Sequence, residues 1–254
     1  MSYIQHHIEN HVLHIQMNRP QKKNALSFQM YGQMADLILS VTETPEVRAV
    51  LLKGDGRDFT AGNDLADFAG APGHEQLGET VRFMNALMEC HLPVVAQVQG
   101  LAVGIGTTML LHCDLVYCAE DSRFCLPFIN LALVPEYASS YLLPRLVGHR
   151  KAAEWLMLGE PFDATEALHF GIVNKVLPVA TLQQEVDSVL GKLVSKPHQA
   201  MAFTKSLLKA NQDEVAVHIN DELDLFIEQL GTPAAREAFA AFIEKRRPDP
   251  KIYN

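Results

Sequence analysis

Three stretches of the chain hold residues whose types and spacing suit chemistry. In residues 56–65 (GRDFTAGNDL), small residues follow an apolar run, and Gly62 tolerates the dihedrals that let a backbone come close to a ligand. In residues 100–106 (GLAVGIG), glycines lead into a helical pattern, which leaves N–H groups open at a helix start, where negative charge is attracted. In residues 127–140 (PFINLALVPEYASS), Glu136 is the lone charge. A single carboxyl in such company is a candidate acid/base. Phe128, Leu133 and Val134 would raise its pKa by desolvation, whereas a helix terminus would lower it. Other candidates are weaker. Gly104 and Gly106 begin a dinucleotide fingerprint, but Met109 stands where its third glycine belongs. His6, His7, His11 and His14 crowd the N-terminus, yet His6 and His7 face opposite ways on an alternating strand, so they read as surface histidines and no metal is expected. Ser139 and Ser140 lack an evident base, and no G-x-S-x-G elbow is present.

The elements that must position these residues follow from periodicity. Leu13, Ile15 and Met17 alternate with His14 and Gln16, a half-buried strand. Residues 18–23 form a basic turn. Ser27 reads as an N-cap for a helix bearing Tyr31, Met34, Leu37, Ile38 and Val41. Residues 47–52 and 94–98 read as buried strands, 69–78 as a mobile small-residue loop, and Val81, Met84, Leu87 and Met88 as a helix face. Residues 100–106 read as a glycine-rich turn, and 114–118 and 123–125 as short strands. After about residue 135 strand signals fade. Asp163 with Glu166 suggests a capping box, Gly171 a helix stop, and Thr232-Pro233 a helix start. The pattern predicts an α/β body over residues 1–195 and a helical C-terminal region over 196–254 that packs on the body and on neighbouring subunits.

Bulk properties narrow the class. A chain of 254 residues can bury one large core. A net charge of −9 argues against a general nucleic-acid binder, which needs a basic surface. The four cysteines form no C-x-x-C pair and read as buried, reduced thiols, which suits a cytoplasmic location. The polar start shows no signal peptide, and the last residues are not a peroxisomal address. Residues 92–111 are uncharged, but Pro93, Gln97, Gln99 and three glycines make them strand, turn and helix rather than a membrane span.

Together, in this order, these segments resemble the crotonase (enoyl-CoA hydratase/isomerase) superfamily over nearly the whole chain. NRPQKKNALS is similar to its first turn, AGNDL to its A-G-x-D-L motif, residues 99–148 to its central segment, and residues 242–246 (FIEKR) to its C-terminal helix. The resemblance implies a spiral ββα core with a helical trimerisation region, as a trimer or a dimer of trimers. It implies an acyl-CoA thioester as substrate, with no cofactor beyond that coenzyme A. It also implies two backbone oxyanion donors, here the N–H groups of Ala61 and Ile105, to hold the enolate oxygen formed when a proton is taken beside a thioester. Coenzyme A recognition carries over to Lys22 and Lys23 for its phosphates, to Ala25, Asp64 and Leu65 around the adenine, to Gly62 in the same loop, and to Phe242 and Lys245.

Departures from the family pattern indicate the reaction. Hydratases of the family carry two glutamates that activate water, and the matching positions here are Thr108 and Phe128. Glu136, in the phrase VPEYASSY, resembles the single glutamate of the Δ3,Δ2-enoyl-CoA isomerase branch. That branch implies Glu136 removing a C2 proton from a 3-enoyl-CoA and returning it at C4. Tyr137 is bulky where relatives have a small residue, which would shape or shorten the acyl pocket. Alternatives are a hydratase or another crotonase-type thioester enzyme with relocated acid–base groups, and a non-catalytic coenzyme A-binding paralogue.

Overall fold

The computed structural model describes residues 3–68 and 73–253. The chain opens with a hairpin of β1 (Ile4–Glu9) and β2 (Val12–Met17), turned at Asn10 and His11, both at positive φ. β1 has no counterpart in the sequence reading, because only Ile4 of its six residues is buried and its polar run shows no alternation. Helix α1 (Phe28–Ser40) follows, and the Ser27 hydroxyl accepts from the Met30 N–H at 3.3 Å, the cap expected of it. Next come β3 (Ala49–Gly54), α2 (Leu65–Phe68), α3 (Gly78–Glu89), β4 (Val94–Val98), β5 (Leu101–Val103), α4 (Ile105–Thr108), β6 (Leu115–Ala119) and β7 (Arg123–Cys125).

The large sheet has the order β1-β2-β3-β4-β6-β9, parallel from β2 onward. A small sheet, β5-β7-β8, lies beside it, and Thr60 joins Ala102 of that sheet by an isolated bridge. Twice, in β4–β5–α4 and in β6–β7–α5, the chain adds one strand to the large sheet, a short one to the small sheet, and then helix, the repeat of a ββα spiral. Residues 100–106 contain β5 and are not wholly turn. β8 (Phe162–Asp163) and β9 (Lys175–Leu177) escape sequence reading because two or three residues show no period.

Both faces of the large sheet are covered. Leu13, Ile15, Val50, Leu52, Val94 and Ala96 face the core shared with α1 and α3. Val12, Ala49, Leu51 and Val95 face the other way, against Leu182, Val186 and Leu190 of α8 (Val179–Val194). Helices α5 (Ser139–Val147) and α6 (His149–Leu158) follow β7, and α7 (Ala164–His169) lies between β8 and β9, ahead of α8. Asp163 caps α7 by accepting from the Glu166 N–H, but the Glu166 carboxylate turns instead to Lys151 and Trp155, so only half of the capping box forms. The C-terminal helices are α9 (His198–Leu208), α10 (Gln212–Leu230) and α11 (Pro233–Glu244), the last capped by Thr232. From α9, Lys205 reaches the body and donates to Leu92 O at 2.6 Å and Asp114 Oδ2 at 2.7 Å. Among the described residues the four cysteines are free, and no helix is long and apolar enough to cross a membrane.

Candidate active site

Glu136 sits in the loop before α5, only 5% exposed. Its Oε1 accepts from the Thr108 hydroxyl of α4 at 2.6 Å. Burial pushes its carboxyl up to about 8, the Thr108 hydrogen bond works against this, and the nearby charge of Glu222 adds to it. The two residues after it, Tyr137 (φ 62°) and Ala138 (φ 55°), both hold left-handed backbone, a strained arrangement for residues with a side chain. Tyr137 is clamped there. Its hydroxyl donates to Met84 O at 2.8 Å, its ring stacks on His112 at 3.8 Å, and His112 Nε2 meets its carbonyl at 2.9 Å. Burial drives His112 down to about 3, so the imidazole is neutral.

A narrow, mostly apolar pocket opens beside Glu136, lined among others by Asn63, Thr80, Met84, Tyr137, Leu223 and Phe226. As it stands it has room for about one water. Asn63 is held by Tyr31, whose fully buried hydroxyl donates to Asn63 Oδ1. Asn63 and the α10 residues were not singled out from sequence, and Tyr31 was read only as part of the α1 stripe. The polar residue inside the small-residue phrase AGNDL was the available signal.

The loop 60–62 runs beside residues 101–106. Thr60 N–H donates to Leu101 O at 2.9 Å and Val103 N–H to Thr60 O at 3.1 Å. Gly62 (φ 87°) is required, because a Cβ would lie 2.6 Å from Val103 O. Gly104 (φ 56°) turns the chain into α4, and the Ile105 N–H has no acceptor among the described residues. The expected pair of open donors is not complete, however. The Ala61 N–H donates to Lys23 O at 2.9 Å, because left-handed Lys23 and Asn24 turn that carbonyl toward the loop.

The coenzyme A positions divide. Lys22 and Lys23 are exposed on a turn that Asn24 pins by donating to Asp55 O and Asp58 O. Ala25 is buried, with its carbonyl accepting from Arg19, and Leu65 is half-buried at the start of α2. Asp64 is a structural clip within its turn. Its N–H goes to Leu26 O, its carbonyl accepts from Asp67, and its carboxylate meets Arg19 Nη1 at 2.6 Å. Burial opposes its charge, but hydrogen bonds from Arg19 and the Ala66 N–H hold it below the usual carboxylate range. Phe242 and Lys245 are exposed at the end of α11, and no described hydrogen bond or ion pair joins their side chains to this cluster. Of the expected mobile loop, residues 69–72 lie outside the described residues.

The N-terminal histidines also need correction. His14 is buried rather than superficial, 8% exposed, and its ring stacks on His7 at 4.4 Å with Glu9 close by. Burial and the His7 charge lower its pKa. Stacked imidazoles aim their in-plane lone pairs side by side, so this pair would have to splay before one ion met both.

The enoyl-CoA hydratase/isomerase family model matches residues 7–251. The chain is 36% identical to enoyl-CoA delta isomerase 2 of Rattus norvegicus over 220 residues, 84% of this chain but 56% of that protein, so it spans about half that relative's length. It is 30% identical to 1,2-epoxyphenylacetyl-CoA isomerase of Escherichia coli (strain K12), covering 98% of each. A solved enoyl-CoA hydratase/isomerase from Pseudoalteromonas atlantica T6c superposes with a TM-score of 0.93 at 38% identity, covering 98% of this chain and 99% of that one. A ββα spiral, a buried carboxyl at its pocket and a match along nearly the whole sequence lead to one assignment: the chain belongs to the enoyl-CoA hydratase/isomerase family, whose members act on acyl-CoA thioesters.

Proposed function

We propose that the protein moves the double bond of a 3-enoyl-CoA to give the 2-trans-enoyl-CoA, with Glu136 as its single acid/base. The observation that carries this reading is a buried carboxyl, pushed up to about 8, bonded to Thr108 where a hydratase would hold a glutamate. The hydroxyl of Thr108 and the phenyl ring of Phe128 leave no second base at those positions, whereas a double-bond shift needs only one. Ionised Glu136 takes the C2 proton, and the electron pair moves into a dienolate with its charge on the thioester oxygen. The proton then returns from the same carboxyl to C4. The Ile105 N–H donates to that oxygen. The Ala61 N–H joins it by exchanging the Lys23 carbonyl for the ligand. Lys22 and Lys23 face the phosphates of coenzyme A, with Ala25, Gly62 and Leu65 near its adenine end and Phe242 and Lys245 closing over it. Tyr137 and Met84 wall the pocket and favour short acyl groups. The active species is a homotrimer or a pair of trimers.

The test is to mix the protein, and its Glu136→Gln variant, with 3-enoyl-CoA substrates of several lengths, following the conjugated product by absorbance and its mass by spectrometry. Conversion at unchanged mass, lost in the variant by ~10²–10⁴-fold, is expected. A product heavier by one water, or equal rates for the two proteins, overturns the reading.

A further inference from the structure

A second carboxyl stands close to the first. Glu222 lies on α10, and its neighbours on the buried stripe of that helix are Val215, Ile219, Phe226 and Leu230. A charge in the middle of an apolar stripe is costly unless it is bonded. Its Oε1 accepts from the Ser140 N–H at 2.8 Å and from the Ser140 hydroxyl, while Oε2 is buried without a partner among the described residues. Ser140 is in the first turn of α5, a helix whose own cap residue, Ala138, has no side chain able to accept a hydrogen bond. Glu222 therefore supplies from another helix what α5 lacks. That first turn continues directly from Glu136, Tyr137 and Ala138, with the Ser139 N–H bonded to Glu136 O at 3.2 Å.

We propose that Glu222 is a positioning residue for Glu136: from α10 it fixes the strained turn that carries the acid/base, and it places a second negative charge beside that carboxyl. The proposal rests on Glu136 being the acid/base and assigns the C-terminal helices a part in the site. Two acidic groups at close range resist ionising together, which makes the one that ionises last the stronger base. The Glu222 charge raises Glu136, and Glu222 itself is raised by burial against its bonds from Ser140. The other titratable groups around Glu136 do not supply this effect. Tyr31 from α1 and Tyr137 have phenols held well above their ordinary value, chiefly by burial, and His112 beneath Tyr137 is neutral. His218, one turn before Glu222 on α10 and stacked on Tyr141, is the remaining group to control for.

The experiment is a carbon-13 NMR titration of protein labelled at the glutamate carboxyls, with the Glu136 signal identified by its loss in Glu136→Gln. It needs no turnover, so it decides the proposal even if the isomerase reading fails. Glu222→Gln, which keeps an acceptor for Ser140 and folds as the parent does, is expected to move the Glu136 midpoint to lower pH. An unchanged midpoint overturns the proposal, as does an equal shift in His218→Gln. On a turned-over acyl-CoA, Glu222→Ala is expected to lower kcat by ~10–100-fold with KM near the parent's, because the base is displaced rather than the substrate. Glu222→Gln is expected to recover most of that kcat above the parent's midpoint, and a kcat for Glu222→Ala equal to the parent's overturns the positioning role.

Discussion

Glu136 is protonated at neutral pH if its carboxyl titrates at about 8, and this sets both its activity and its cost. The base form grows as pH rises, so kcat/KM is expected to climb through about pH 8 and level off above it, and a profile flat from pH 6 to 9 would contradict the assignment. Stability runs the other way. A carboxyl whose folded pKa lies above its unfolded one favours the fold fully below the unfolded value, and that contribution is lost as pH rises toward the folded value. Glu136→Gln removes the penalty, so the variant is expected to gain on the order of 5 kcal/mol over the parent at pH 9 and about 1 kcal/mol at pH 5, read from denaturant melts at the two pH values. Thr108→Val deletes the hydroxyl that favours the charged carboxyl, which should move the kcat/KM limb further toward alkaline pH and lower the rate about tenfold at pH 7. Glu136 was legible in the sequence as the only charge in its stretch. The hydrogen bond from Thr108 was not, because a hydroxyl reads as a poor base, and nothing local says that it donates to a carboxyl 28 positions away.

The elements were legible where a period had room to repeat. The α1 stripe, its Ser27 cap and the buried strand β4 lie where pattern places them, and β3 lies two residues later than pattern places it. β5, β8 and β9 are too short for that, and they exist because the spiral brings backbone edges together, not because of their own composition. The same long-range logic governs how α9 is fixed to the body. Lys205 is 5% exposed and shares its ammonium between Leu92 O and Asp114, so Lys205→Met removes a donor from the Leu92 carbonyl and leaves the half-buried Asp114 carboxylate with only the Val94 N–H. A loss of about 1–2 kcal/mol in chemical denaturation is expected, with part of it recovered in the double variant Lys205→Met/Asp114→Asn. Losses that simply add in the double variant would show that the pair is not coupled.

At the scale of the whole molecule, the outer faces of the C-terminal helices are more apolar than a free surface needs. On α9, Phe203, Leu207 and Leu208 are 61%, 78% and 78% exposed, and Val217 and Leu225 of α10 and Phe242 and Ile243 of α11 are also exposed. Scattered apolar side chains are ordinary on a surface, but Phe203 and Leu207 are one helical turn apart and make a continuous ridge, the kind of feature that marks a contact surface. This ridge belongs to the same helical region whose inner side lines the pocket and holds the Glu136 turn through Glu222. An assembly that covers the ridge would therefore stiffen the site from behind. Light scattering at micromolar concentration is expected to give three times the chain's 28.2 kDa, or six times it. The double variant Leu207→Asp/Leu208→Asp is expected to shift the mass toward one chain and to lower kcat together with it. A parent that is monomeric at that concentration would end the assembly proposal. A variant that dissociates with unchanged kcat would keep the assembly but remove its link to the site.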